Sequence, residues 1–232
     1  MENLLKIVGV NKTYLQGQIE VHALRNIELQ ISEGEFVALV GPSGSGKTTL
    51  LNIIGGIDSV DQGSVILNGV DMTTMSESAL SDFRLYQLGF VFQAYNLVPV
   101  LSALENVELV MVLQGRTATE RRQRAEHYLQ LVGLGDLMNR RPAALSGGQQ
   151  QRVAVARALA AGPRLVLADE PTANLDSENA GALLDIMHRL SREEKTTFIF
   201  STHDPRVMQR AERIITLRDG MITDDQRVLT AT

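Results

Sequence analysis

The sequence predicts an α/β fold. We expect a parallel sheet covered on both faces, an antiparallel β subdomain beside it, and an α-helical subdomain at 96–144, all within one domain over 1–232. Three observations predict this. Residues 36–40, 165–168 and 197–200 are continuous apolar runs, the pattern of strands with no solvent face. Residues 4–10 and 24–31, with a hairpin pattern over 64–72, read as a separate antiparallel group. The middle of the chain carries helix start and stop signals.

The elements follow in chain order. The run at 36–40 leads through a glycine-rich turn into a helix over 47–54, which Gly55 can stop. Asn68-Gly69 is a favoured two-residue hairpin turn and joins 64–67 to 70–72. Gly89, Phe90, Val91 and Phe92 make another short apolar strand. Thr117 and Glu120 have capping-box spacing, and Ala125, Tyr128, Leu129 and Val132 then share one helical face that Gly133 ends. Residues 97–113 are rich in apolar side chains and have two readings, the core of the helical insert or a face for a partner. Asp219-Gly220 closes a last hairpin between 214–217 and 221–223, followed by a short polar tail.

Composition narrows the function classes. The 232 residues carry a formal charge of −5, which argues against a surface built to neutralise nucleic-acid phosphates. There are no cysteines, so disulfides and thiolate metal sites are excluded. Residues 1–5 have no signal-peptide pattern. No run of about 18 apolar residues exists; Glu105, Asn106 and Glu108 interrupt the nearest approach. Membrane contact is therefore expected only through a partner.

Gly41, Pro42, Ser43, Gly44, Ser45, Gly46, Lys47 and Thr48 fit the pattern G-x-x-x-x-G-K-[ST], the phosphate-binding loop. Glycine lets successive backbone N–H groups turn inward on phosphate oxygens, and the helix that follows adds its positive end. Lys47 is suited to bridge the β- and γ-phosphates, and Thr48, followed by Thr49, to place a hydroxyl on Mg²⁺. The setting between a buried strand and a helix is the one the motif requires.

Two further groups stand at strand ends. The run at 165–168 leads into Asp169-Glu170, and the run at 197–200 leads through Ser201-Thr202 to His203. Asp169 would hold Mg²⁺ through water, since Mg²⁺ dehydrates reluctantly. Glu170 would polarise the attacking water, and His203 would donate to the γ-phosphate. Asp169-Glu170 alone also reads as an ordinary solvated turn, and His203 alone as a structural histidine. Together with Gly41 they share the carboxyl edge of an open parallel sheet, where ligands bind. Gln93 follows the strand at 89–92 and could reach Mg²⁺ or the water. Tyr14 could stack on a base or be an ordinary strand aromatic.

Leu145, Ser146, Gly147, Gly148 and Gln149 come next. Ser146 can cap a helix whose first turn is left open by two glycines, which reads either as an ordinary capped helix after a glycine turn or as a second anion site. This run resembles the signature of the ABC transporter ATPases. With the loop at 41–48, Gln93, Asp169-Glu170, the Asp176 loop and His203, each motif stands in that family's order, across nearly the whole chain. Residues 52–63 and 90–107, with Thr13-Tyr14 and residues 21–24, are similar to the lipoprotein-release and macrolide-export branch. Asn174 stands where Ala or Gly is frequent.

The resemblance implies a P-loop NTPase (RecA-like) core that binds ATP and Mg²⁺ and hydrolyses ATP. It implies a head-to-tail homodimer with Ser146, Gly147, Gly148 and Gln149 reaching the partner's nucleotide. It also implies integral membrane permease subunits and a peripheral place on the cytoplasmic face of the inner membrane. Three other readings compete. A soluble ABC ATPase of repair or translation would carry long arms or two cassettes; a P-loop kinase would lack the Ser146 motif; an inactive scaffold would not need Glu170 and His203.

Overall fold

A computed structural model describes residues 3–228 and all of their side chains except that of Gln16. The first two strands, β1 (Asn3–Gln16) and β2 (Ile19–Ser32), are longer than their apolar runs predict. They pair antiparallel over their whole length, and the ladder carries the strand ends past the buried residues. The run at 36–40 is β3 (Phe36–Val40), followed by α1 (Lys47–Ile54) with Gly55 at its C-cap. Then come β4 (Gln62–Leu67) and β5 (Val70–Asp71). The turn between them has φ of 51° at Asn68 and 77° at Gly69, the left-handed pair a two-residue turn requires. Met72, read as strand, instead opens a 3₁₀ turn over Met72–Thr74 that Asp71 caps.

A helix not foreseen follows, α2 (Glu77–Gln87), capped by Ser76. Beyond it lie β6 (Leu88–Val91), α3 (Ala103–Leu113) and α4 (Ala118–Leu131). Thr117 and Glu120 form the expected capping box, and Ser102 with Glu105 forms another on α3. The remaining elements are α5 (Gly147–Ala160), β7 (Leu165–Asp169), α6 (Ser177–Glu194), β8 (Thr197–Ser201), α7 (Pro205–Arg210), β9 (Arg213–Arg218) and β10 (Met221–Arg227). β10 runs on through the polar residues read as tail, because its backbone completes a ladder with β9.

Two sheets result. The smaller has the order β2-β1-β4-β5; the larger has the order β10-β9-β3-β8-β7-β6, with β9, β3, β8, β7 and β6 parallel. Alternation along the central strands divides the core in two. Phe36, Ala38, Val166, Ala168, Phe198 and Phe200 pack with the helices from α3 onward. Val37, Leu39, Leu165, Leu167 and Ile199 pack with α1 and the smaller sheet. Both faces are covered, which is why those strands read as unbroken apolar runs.

The two readings of 97–113 divide between residues. Ala103, Leu104, Val107 and Met111 are buried in the core, whereas Val100, Val112 and Leu113 are exposed. Asn106, which interrupts the run, is fully buried; its amide donates to the carbonyls of Val98, Leu101 and Ser102 and accepts from the Val98 N–H. No helix among the described residues is long and apolar enough to cross a membrane.

Candidate active site

The loop at 41–48 joins β3 to α1. Two of its glycines are fixed by close approach. A Cβ on Gly46, whose φ is 102°, would lie 2.5 Å from the Ala23 carbonyl oxygen. One on Gly41 would lie 2.1 Å from the Leu217 carbonyl oxygen. A side chain at either would push the loop off β2 or β9 and close the cradle. Lys47 is buried, and its ammonium donates to the carbonyls of Gly41 at 2.8 Å and Pro42 at 2.9 Å. The cation is thus held within the loop by neutral acceptors.

The parallel strands bring the other groups to the same edge. Asp169 ends β7 beside Ser201, which ends β8. The Thr48 hydroxyl lies 3.4 Å from both carboxylate oxygens of Asp169. A hydroxyl and one carboxylate are hard oxygen donors and suit Mg²⁺ that keeps waters and takes its other ligands from phosphate. Among the described residues no group of three or more His, Asp and Glu forms a cage of its own, and such an ion requires none. The Ser201 and Ser45 hydroxyls are buried with no partner, and Ser201 lines the same cavity. Of the two, only the Ser201 hydroxyl is an unspent polar atom beside the Thr48–Asp169 pair.

Glu170 and His203 meet directly. Glu170 Oε1 and His203 Nδ1 are 2.7 Å apart. Glu170 has φ of 46°, a left-handed conformation rare for its type, one residue before a proline. Its N–H donates to the Ser201 carbonyl at 2.9 Å, which helps to hold that conformation. Strain of this kind gathers at functional sites.

Tyr14, Gly41, Pro42, Ser43, Gly44, Gly46, Lys47, Thr48, Thr49, Gln93, Glu170 and His203 all line one cavity of about 770 Å³. Ser45 is buried beneath the loop, and Asp169 reaches the site through Thr48. The Tyr14 hydroxyl donates to Asp58, and the Lys12 ammonium lies 5.1 Å from the ring centre. Burial first, and then Asp58, raise the Tyr14 pKa above its ordinary value, so the phenol stays neutral. Burial works against the charge on Asp58, but the hydrogen bonds from Lys12 and Tyr14 outweigh it and hold the carboxyl below its usual range. Val21, His22, Ala23 and Ser201 also line the cavity and were not among the predicted site residues. His22 carries a weak signal, in that it pairs with Thr13 across β1 and β2.

The signature residues stand elsewhere. Ser146 caps α5, with its hydroxyl accepting from the Gln149 N–H at 3.3 Å and the Gln149 side chain accepting from the Ser146 N–H at 2.9 Å. None of Ser146, Gly147, Gly148 and Gln149 lines the 770 Å³ cavity. Asp176 likewise caps α6 and accepts from the Asn179 N–H and side-chain amide, which keep its carboxyl below the usual range.

Known proteins give the same picture. The ABC transporter family matches residues 24–173. The lipoprotein-releasing system ATP-binding protein LolD of Anaeromyxobacter dehalogenans is 46% identical over 95% of this chain and 93% of that protein. The macrolide export ATP-binding/permease protein MacB of Bradyrhizobium diazoefficiens is 46% identical over 97% of this chain, which spans 34% of that longer protein. A solved dimeric post-hydrolysis state of the ATP-binding cassette MJ0796, bound to ADP and Pi, superposes with a TM-score of 0.89 at 42% identity, covering 98% of this chain and 100% of that one. With the phosphate loop, Asp169, Glu170 and His203 gathered at one sheet edge, the chain belongs to the ABC transporter family, as an ATP-binding and ATP-hydrolysing cassette.

Proposed function

We propose that this cassette works as a head-to-tail homodimer that encloses two ATP and drives integral membrane permease subunits in export or extraction. In this reading the domain spans 1–232 with its helical subdomain at 96–144. It sits peripherally on the cytoplasmic face of the inner membrane and touches the membrane only through the permease. One observation carries the reading: the helix terminus that exposed Ser146 caps lies outside the cavity that holds the phosphate loop. A second copy can supply that terminus to the γ-phosphate.

Lys47 would then take the β- and γ-phosphates in place of the Gly41 and Pro42 carbonyls. Thr48, Asp169 and Gln93 would hold Mg²⁺, Asp169 through water. That ion would neutralise charge on the phosphates. Glu170 would accept the proton of the attacking water, with His203 steadying the γ-phosphate. Tyr14 would stack on the adenine, and Asp176 would face the partner. ATP favours closure because its γ-phosphate can engage both helix termini; the loss of that group on hydrolysis reopens the dimer.

Where a permease would dock is supported by a groove of about 660 Å³ between the helical insert and the sheet edge. Phe92, Leu109, Val110, Leu113 and Arg157 line it, and Leu113 is 67% exposed. Asp82 and Arg84 line it too, and a largely apolar groove with charged side chains along it suits a short amphipathic helix. Tagged chain purified from native membranes in detergent should bring down an integral membrane protein in stoichiometric amount, and Leu113→Glu should release it. Recovery of the chain alone from those membranes would leave the soluble ATPase reading in its place.

A further inference from the structure

Past the end of β6 the chain runs through residues 92–96, which carry Gln93. Side chains hold four carbonyls of this segment. Gln151 Nε2 donates to Phe92 at 3.2 Å, and Asn174 Nδ2 donates to Gln93 at 3.0 Å. Arg157 donates to Tyr95 at 3.0 Å and to Asn96 at 2.6 Å. Three of these bonds therefore come from α5, the helix that Ser146 caps. The same Gln151 Nε2 also donates to the Pro171 carbonyl at 2.8 Å, one residue beyond Glu170.

Gln151 is fully buried, and its Oε1 has no partner. Turning the amide over would set that oxygen against two carbonyls, so the two acceptors fix its orientation. A buried acceptor left empty costs stability. The fold keeps it, and one carboxamide bridges the segments that follow β6 and β7.

We propose that Gln151 is a positioning residue for hydrolysis: its carboxamide ties the signature helix α5 to the Gln93 segment and to the Glu170 turn of the same protomer. Movement of Ser146 toward the partner's nucleotide then shifts Gln93 and Glu170 in the first protomer's own site. Arg157 and Asn96 also line the groove described above, so a helix seated there gains a hold on the same segment. This inference rests on the roles proposed for Gln93, Glu170 and Ser146.

Gln151→Met preserves length and volume but leaves Phe92 and Pro171 without their donor. We expect the affinity for a fluorescent ATP analogue to stay within about twofold, because the phosphate loop is untouched. We expect kcat to fall about ten- to a hundredfold, the usual effect of losing a group that orients a reacting residue. A residue that only supported the fold would not separate kcat from binding in this way. Asn174→Ala, at an exposed position, frees Gln93 from the other side and should lower kcat at least about threefold. The double variant should fall short of the product of the two, because both act on one segment. Should Gln151→Met fail to fold, Asn174→Ala decides alone. Unchanged kcat in the folded variants overturns the proposal. Glu170→Gln, assayed alongside, separates the two failures: if it hydrolyses normally, the site reading is wrong; if it is inactive while Gln151→Met is not, only the tie is wrong.

Discussion

Glu170→Gln is expected to reduce ATP hydrolysis by about 10²–10⁴-fold, the loss typical of removing a general base. The amide has the volume of the carboxylate, so packing beside Ser201 and His203 is kept. It can still accept a hydrogen bond from His203, now 2.7 Å away. It cannot accept a proton from water. ATP binding, which depends on the loop at 41–48, should remain. The variant should therefore accumulate as a closed, ATP-loaded dimer, visible by light scattering in ATP and absent in ADP. Single-turnover hydrolysis measured on the same sample gives the size of the loss. Turnover close to that of the parent chain would remove Glu170 from the role assigned to it.

Lys47→Ala should act one step earlier, on binding. Lys47 is the buried cation of the loop, with both of its hydrogen bonds made to loop carbonyls. A nucleotide offers it charged oxygens in their place. Charge-assisted bonds of that kind contribute about 1.5–3 kcal/mol, or roughly ten- to a hundredfold in affinity. The alanine variant should lose that much for ATP and, having lost the bridge to the γ-phosphate, should no longer distinguish ATP from ADP by closing. Titration calorimetry with both nucleotides would measure it. An unaltered affinity would mean that the backbone N–H groups alone hold the phosphates.

The motifs that could be read from sequence are those whose chemistry is contiguous. The phosphate loop, Asp169-Glu170 and the Ser146 cap each occupy a few neighbouring residues. The unbroken apolar runs before 41, 169 and 203 placed them on one edge, and the parallel ladders β3-β8 and β8-β7 do hold them there. What was not legible depends on partners distant in sequence. Gln151 looks like one glutamine among three, and only the carbonyls at 92 and 171 give it a function. Asn174, where Ala or Gly is frequent, gains its meaning only from the Gln93 carbonyl that its amide meets. The left-handed backbone of Glu170 is held in part by the Ser201 carbonyl, on the neighbouring strand. Helix α2 escaped for a different reason. It fully buries no residue, and only Leu80 and Phe83 pack, half-buried, against the core, so its apolar face is too narrow to announce it, although Ser76 at its start is an ordinary cap.

The central claim is that each nucleotide is shared between the Lys47 loop of one copy and the Ser146 helix of another. Mixing two inactive proteins tests it directly. Lys47→Ala keeps a sound signature, and Ser146→Arg keeps a sound phosphate loop. In a head-to-tail pair one of the two sites is then assembled from intact parts. ATPase activity should therefore rise on mixing, above that of either protein alone and in proportion to the mixed dimer. Activity that stays at the sum of the two inactive proteins, when mixed wild-type copies exchange freely, would show that each site is complete within a single chain.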